Sequence, residues 1–209
     1  MKTYFIVIIG IIFFFTCCND NLGKLSNSYN ENTIEISLGN NFKIIVSTNG
    51  EKFDSCKPYT NVSLMFGNEL LFHDTGYEIK LLCNNYPKIK NLKNNQYLIF
   101  LEIFDAPDIN KLLVINIKDG KYIKQQLLPF FDTDPSNLDI DENMEFQGTM
   151  NTIEGFGSGD SCYYNPELYY ELTDQGIELD TILSKKMITK VWGGFYGYEQ
   201  SDKIILPCN

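Results

Sequence analysis

The chain has 209 residues, a formal net charge of −10, and 17 basic residues, all of them lysine. With no arginine it lacks the bidentate fork that grips phosphate and carboxylate, and its acidity opposes a nucleic-acid backbone or an anionic lipid surface. No nucleic-acid partner is expected, and the roughly 190 residues beyond the N-terminal stretch suffice for one domain with a real core.

The N-terminus reads MKTYFIVIIGIIFFFTCCND. Lys2 is a short positive region, and Tyr4 to Phe15 is unbroken apolar or aromatic sequence apart from Gly10. Such a run is too short for a spanning helix, which needs about 20 residues, and suits the hydrophobic part of a signal peptide. It ends in Phe14-Phe15-Thr16-Cys17-Cys18. This boundary resembles the lipobox of bacterial lipoproteins, in the relaxed form met in Bacteroidota, with bulky residues where a Leu-Ala-Gly type of tripeptide is usual. The resemblance is confined to this stretch. It implies a signal peptide over 1–17 and diacylglycerol on Cys18, with Cys17 as the alternative acceptor if Thr16 precedes the cut. It further implies an exported protein, held in the cell membrane or outer membrane by lipid. Each buried CH₂ of an acyl chain adds about 0.8 kcal/mol to attachment, so several chains tether firmly without a protein span. The polar, Asn-rich segment 18–32 reads as a flexible tether to a domain over 33–209.

From residue 33 the dominant period is two, the mark of half-buried strands. TIEISL sets Ile34, Ile36 and Leu38 on one face, and Gly39-Asn40-Asn41 turns it into FKIIVST. Asn49-Gly50 is a strong hairpin signal, and Gly67-Asn68 turns VSLMF into ELLFH. QYLIFLEIF, 96–104, is apolar at almost every position and predicts a central strand covered on both faces, with Glu102 in need of a partner. KLLVINI and KYIKQQL flank Asp119-Gly120, a type I′ hairpin. MEFQGTM is a further strand, and ELYYELT and IELDTILS flank Asp174-Gln175-Gly176. KKMITKVW and KIILPC are read as closing strands, since no stretch shows sustained helical spacing with caps. The expected fold is all-β, an antiparallel meander of about a dozen short strands in a sandwich, barrel or propeller-like arrangement.

Four cysteines follow the double one: Cys56, Cys83, Cys162 and Cys208. In an oxidising compartment they permit two disulfides in three connectivities, and none has CxxC spacing. Cys162–Cys208, which would pin the chain end, is the pairing expected first.

The segment FFDTDPSNLDIDENMEF gathers Asp132, Asp134, Asp139, Asp141, Glu142 and Glu145. Carboxylates one residue apart on a loop are the right chemistry for a hard cation such as calcium. Asp132, Asp134, Asp139 and Asp141 are the candidate ligands. Neither register fits an EF-hand: Asn137 or Met144 takes the turn-glycine place, and Asn143 or Met150 that of the bidentate glutamate.

His73 is the single histidine, and no GxSxG motif accompanies it, so no triad is assigned and a structural hydrogen bond is expected. The glycine-rich stretch 154–164 lacks the Lys-Ser/Thr of a phosphate loop and reads as a long loop. VWGGFYGYEQ, 191–200, sets aromatic rings among glycines, where they can stack on sugar faces or enter a partner's pocket. With CYYNPELYY it makes Tyr163, Tyr164, Trp192, Tyr196 and Tyr198 the candidate ligand surface. The function expected is that of a cell-envelope binding module with a protein or carbohydrate partner, without a resident cofactor. Two alternatives are an immunity-type protein that neutralises a basic toxin by charge complementarity, and an envelope hydrolase using Asp139, Asp141 or Glu154.

Overall fold

A computed structural model describes residues 33–84, 86–106, 109–131, 133–139, 141, 143–149 and 161–207. Cys17, Cys18, the tether, Asp132, Glu154 and Cys208 lie outside them. The all-β expectation holds: the described residues form 14 strands and one helix, every strand pairing being antiparallel.

Four strands make the first sheet: β1 (Thr33–Gly39), β2 (Phe42–Ser47), β3 (Val62–Phe66) and β4 (Glu69–Asp74), in sequential order. β1 and β2 alternate strictly between buried and half-buried residues, as their period-two patterns require. Asn40 and Asn41, with φ of 49° and 65°, form the reversing turn between them. Asn49 and Gly50 also turn back, with φ of 51° and 80°. They open a long connection rather than a tight hairpin, because β3 begins only at Val62. That connection is anchored by paired backbone bonds between Tyr59 and Ile79, each 2.9 Å. His73 sits opposite Ser63 on the β3–β4 rung, its Nδ1 2.9 Å from the Ser63 hydroxyl.

The second sheet is the middle layer. It contains β5 (Ile79–Lys80), β6 (Lys88–Asn91), β7 (Gln96–Ile103), β8 (Lys111–Lys118) and β9 (Lys121–Pro129). Asp119 and Gly120, at φ 50° and 71°, make the expected tight turn between β8 and β9. β7 and β8 are apolar on both faces because each face meets a different core. Ile99, Leu101, Ile103, Leu113, Ile115 and Ile117 pack with the inward side chains of β1–β3. Leu98, Phe100, Leu112 and Val114 join the second core, formed with the C-terminal elements. Glu102 is fully buried in β7; Asn84 and Asn110 donate to its Oε1 at 2.7 and 2.5 Å.

The C-terminal layer contains β10 (Met144–Gly148), β11 (Ser161–Tyr164), β12 (Leu168–Thr173), β13 (Gly176–Leu179), α1 (Thr181–Trp192) and β14 (Ser201–Pro207). β10, β12 and β13 form one sheet, while β11 and β14 pair separately. The layer is tied to the middle sheet by the side-chain amides of buried Asn116 and half-buried Gln126. Gln96 donates to Asn116, Asn116 to the Gln175 carbonyl, and Gln126 to the Ile177 carbonyl, at 3.1, 3.3 and 3.0 Å. At Gly148 a Cβ would come within 2.7 Å of the Phe130 carbonyl oxygen, so β10 lies close to the chain leaving β9.

The helix corrects the strand expected over IELDTILS and KKMITKVW. β13 stops at Leu179, and Asp180 then caps a helix, its Oδ1 accepting from the amides of Ile182 and Leu183 at 2.9 and 2.8 Å. Gly193, at φ 70°, ends it in the left-handed conformation. Leu183, Ser184 and Ile188 face inward. Ser184 docks the helix on β12: the Tyr169 amide donates to its hydroxyl at 2.9 Å, and the hydroxyl donates to the Tyr169 carbonyl at 3.3 Å. No helix among the described residues is long and apolar enough to cross a membrane.

Cys56 and Cys83 form a disulfide, Cα–Cα 4.9 Å. Cys162 is disulfide-bonded as well.

Candidate functional site

Two surfaces concentrate the residues singled out from the sequence, one acidic and one aromatic.

The acidic one is built on the loop leading into β10. Ser136 and Glu145 exchange backbone hydrogen bonds of 3.0 and 2.9 Å, which close the intervening segment into a pinched loop. Inside it, Asp139 Oδ1 accepts from the Asp141 amide at 3.0 Å and Asp141 Oδ1 from the Asn143 amide at 2.8 Å. Short polar side chains bind the backbone two residues on in this way, so the alternating acids fold their own loop. Glu145 follows at the start of β10, only 1% exposed. Its Oε2 accepts from the Leu138 amide at 2.6 Å, and its Oε1 is buried with no hydrogen-bond partner. One carboxylate oxygen from each of Asp139, Asp141 and Glu145 lies within 4.8 Å of the others.

Strand register adds to this charge. Glu145 stands opposite Glu171 on β12, and Glu171 opposite Glu178 on β13. Directly opposed residues share a sheet face, where like charges destabilise. Asn143 donates to Glu171 and relieves part of that repulsion. Burial pushes the Glu145 carboxyl above its ordinary pKa; the Leu138 amide opposes the shift, and Asp139, Asp141 and Asp180 reinforce it. Burial raises Glu171 too, against the Asn143 hydrogen bond and with repulsion from Asp141, Asp180 and Asp139.

The structure therefore brings together two of the expected ligands, Asp139 and Asp141, and leaves Asp134 paired with Lys88 at 3.0 Å. Glu145 is the member that sequence reasoning did not place among the ligands. Its signal is the alternation 139, 141, 143, 145 running into MEFQG, which carries the loop's spacing into the strand.

The aromatic surface follows α1. Tyr164 is completely buried, its ring meeting Trp192 at 5.3 Å and Tyr196 at 5.4 Å edge-on, and its hydroxyl donates to the Gly197 carbonyl. It supports the loop from beneath, and burial raises its pKa. Tyr196 exposes 46% of its surface. Phe195 and Tyr198 stack edge-on at 4.9 Å, Lys185 lies 5.3 Å over the Phe195 ring, and the Tyr198 hydroxyl donates to the Thr181 carbonyl at 3.0 Å. Tyr163 is half-buried on β11. The five expected aromatics thus fall into a buried support, Tyr164, and a partly open rim.

Comparison with protein-family models, with curated proteins and with solved structures finds no match for this chain.

Proposed function

We propose that this chain is a lipid-anchored cell-envelope protein whose β domain recruits a protein or carbohydrate partner through the aromatic loop after α1. The observation that carries the reading is the exposed Tyr196 ring seated edge-on against the fully buried Tyr164. An aromatic side chain offers a large contact area at low entropic cost, and a fixed one loses little freedom on binding. The helix capped by Gly193 holds one end of the loop, and the Tyr198–Thr181 bond closes it back on the helix start. The sequence up to Cys18 supports the anchor, and the disulfides suit an oxidising compartment.

Tyr196→Ala removes the open ring and leaves its buried support. The variant should fold, with a melting midpoint close to wild type, and should lose most capture of the partner from detergent-solubilised envelopes of its own cell. Soluble glycans competing for wild-type capture would mark the partner as carbohydrate. Equal capture by variant and wild type would refute the loop's role. Independently, Cys17→Ser/Cys18→Ser should move the protein out of the membrane fraction; continued retention would refute the anchor.

A further inference from the structure

We propose that Asp139, Asp141 and Glu145 form a binding site for a divalent cation of calcium's size. Two independent observations carry it. The first is geometric. Ligand oxygens of calcium lie at about 2.3–2.6 Å, so two of them on opposite sides of one ion are about 4.8 Å apart. One carboxylate oxygen from each of Asp139, Asp141 and Glu145 lies within 4.8 Å of the others, so a single ion can reach all three. Magnesium holds its water and takes one or two protein carboxylates, whereas calcium takes several, so a group of three carboxylates suits calcium. The second is the unpartnered acceptor. Glu145 is buried, one oxygen is fixed by the Leu138 amide, and Oε1 has no donor. A buried carboxylate oxygen without a partner is costly, and it belongs to the carboxylate that completes the group.

The surroundings fit a cation. Lys88 and Lys93 are engaged elsewhere, with Asp134 and Asp174, while Glu171 and Glu178 add their charges along the same sheet face. The ion would neutralise a row of like charges that β-strand register forces together. It would also join the loop, through Asp139 and Asp141, to β10 through Glu145. Water and backbone carbonyls would complete the six to eight oxygens that calcium takes.

The test uses the intact protein in detergent, stripped of metal and titrated calorimetrically with CaCl₂. Open sites of this kind in extracellular modules bind at about 10⁻⁴–10⁻³ M, so saturable heat is expected in that range. The melting midpoint should rise by several degrees in about 10 mM CaCl₂ relative to EDTA, by mass action. Equal concentrations of MgCl₂, or NaCl at matched ionic strength, should give less than half that rise. Glu145→Gln, nearly isosteric, and Asp141→Asn, at an exposed position, should each abolish the calcium shift while still melting cooperatively. Asp134→Asn should keep it. Absence of heat and shift in the wild type overturns the proposal. So does an undiminished shift in Glu145→Gln and Asp141→Asn, or an equal rise with NaCl or MgCl₂.

Discussion

Tyr170 shows how a single side chain writes pH dependence into the fold. It lies in the second core, its ring 5.9 Å from that of Phe131, and burial pushes its pKa up to about 12. The neighbouring Tyr169 is also raised to about 12, by burial first and then by the Glu167 carboxylate, to which its hydroxyl donates at 3.2 Å. In the unfolded chain both phenols titrate near 10. Between these values the unfolded state binds fewer protons than the folded one, so stability falls as pH rises. The stabilisation is fully present below about pH 10 and is lost as pH climbs towards about 12. For Tyr170 the loss is on the order of 2 kcal/mol. Tyr170→Phe should therefore flatten the fall of the urea midpoint across that window. Tyr169 should keep part of the slope, and an unchanged slope would show that Tyr170 ionises as freely when folded as unfolded.

At the scale of elements, α1 is the instructive case. Its cap, Asp180, satisfies two amides that otherwise lack partners, and a lost cap of this kind costs about 1 kcal/mol. Asp180 also repels Glu145 and Glu171. Asp180→Ala should lower the melting midpoint by a few degrees. Asp180→Asn, which retains the cap and removes the charge, should leave it unchanged or raise it. A fall of equal size in both would show that the charge matters and the cap does not. The strands were legible because their patterns are local: β1 and β2 alternate with period two, β7 and β8 are continuous apolar runs, and Asp119-Gly120 shows its need for positive φ. The helix was not, because Ile177, Leu179, Thr181 and Leu183 continue the alternation past the true end of β13. The signals against a strand are Asp180 as a cap, Gly193 as a stop, and apolar pairs at 182–183, 187–188 and 191–192. The acidic loop was half legible for a similar reason. The alternation of Asp139 and Asp141 is local, whereas the burial of Glu145 opposite Glu171 depends on the pairing of β10 with the sequence-distant β12.

Across the whole molecule, the middle sheet is shared by two cores, and the Cys56–Cys83 bridge fastens one of the outer layers to it. Cys56 lies on the connection between β2 and β3, and Cys83 follows β5, so the bond spans 27 residues and links the first sheet to the second. Closing a loop of that length removes about 3–4 kcal/mol of chain entropy from the unfolded state. Other ties on the same connection reduce the net effect. The Tyr59–Ile79 backbone pair and the Tyr59 hydroxyl, which accepts from the Asp54 amide at 2.8 Å, hold the same connection without the disulfide. Cys56→Ser/Cys83→Ser should thus lose about 1–3 kcal/mol by urea unfolding, yet still fold, because the apolar faces of β1–β3 against β7 and β8 do not depend on the bond. The double variant is a cleaner probe than a reductant, which would also attack the disulfide of Cys162. Hydrogen exchange locates the effect: amides of the 48–61 connection should lose protection first, while those of β7 and β8 fall only with global stability. If β7 and β8 lose protection as early as the connection, the bridge is holding the layers together and the shared sheet alone is not enough.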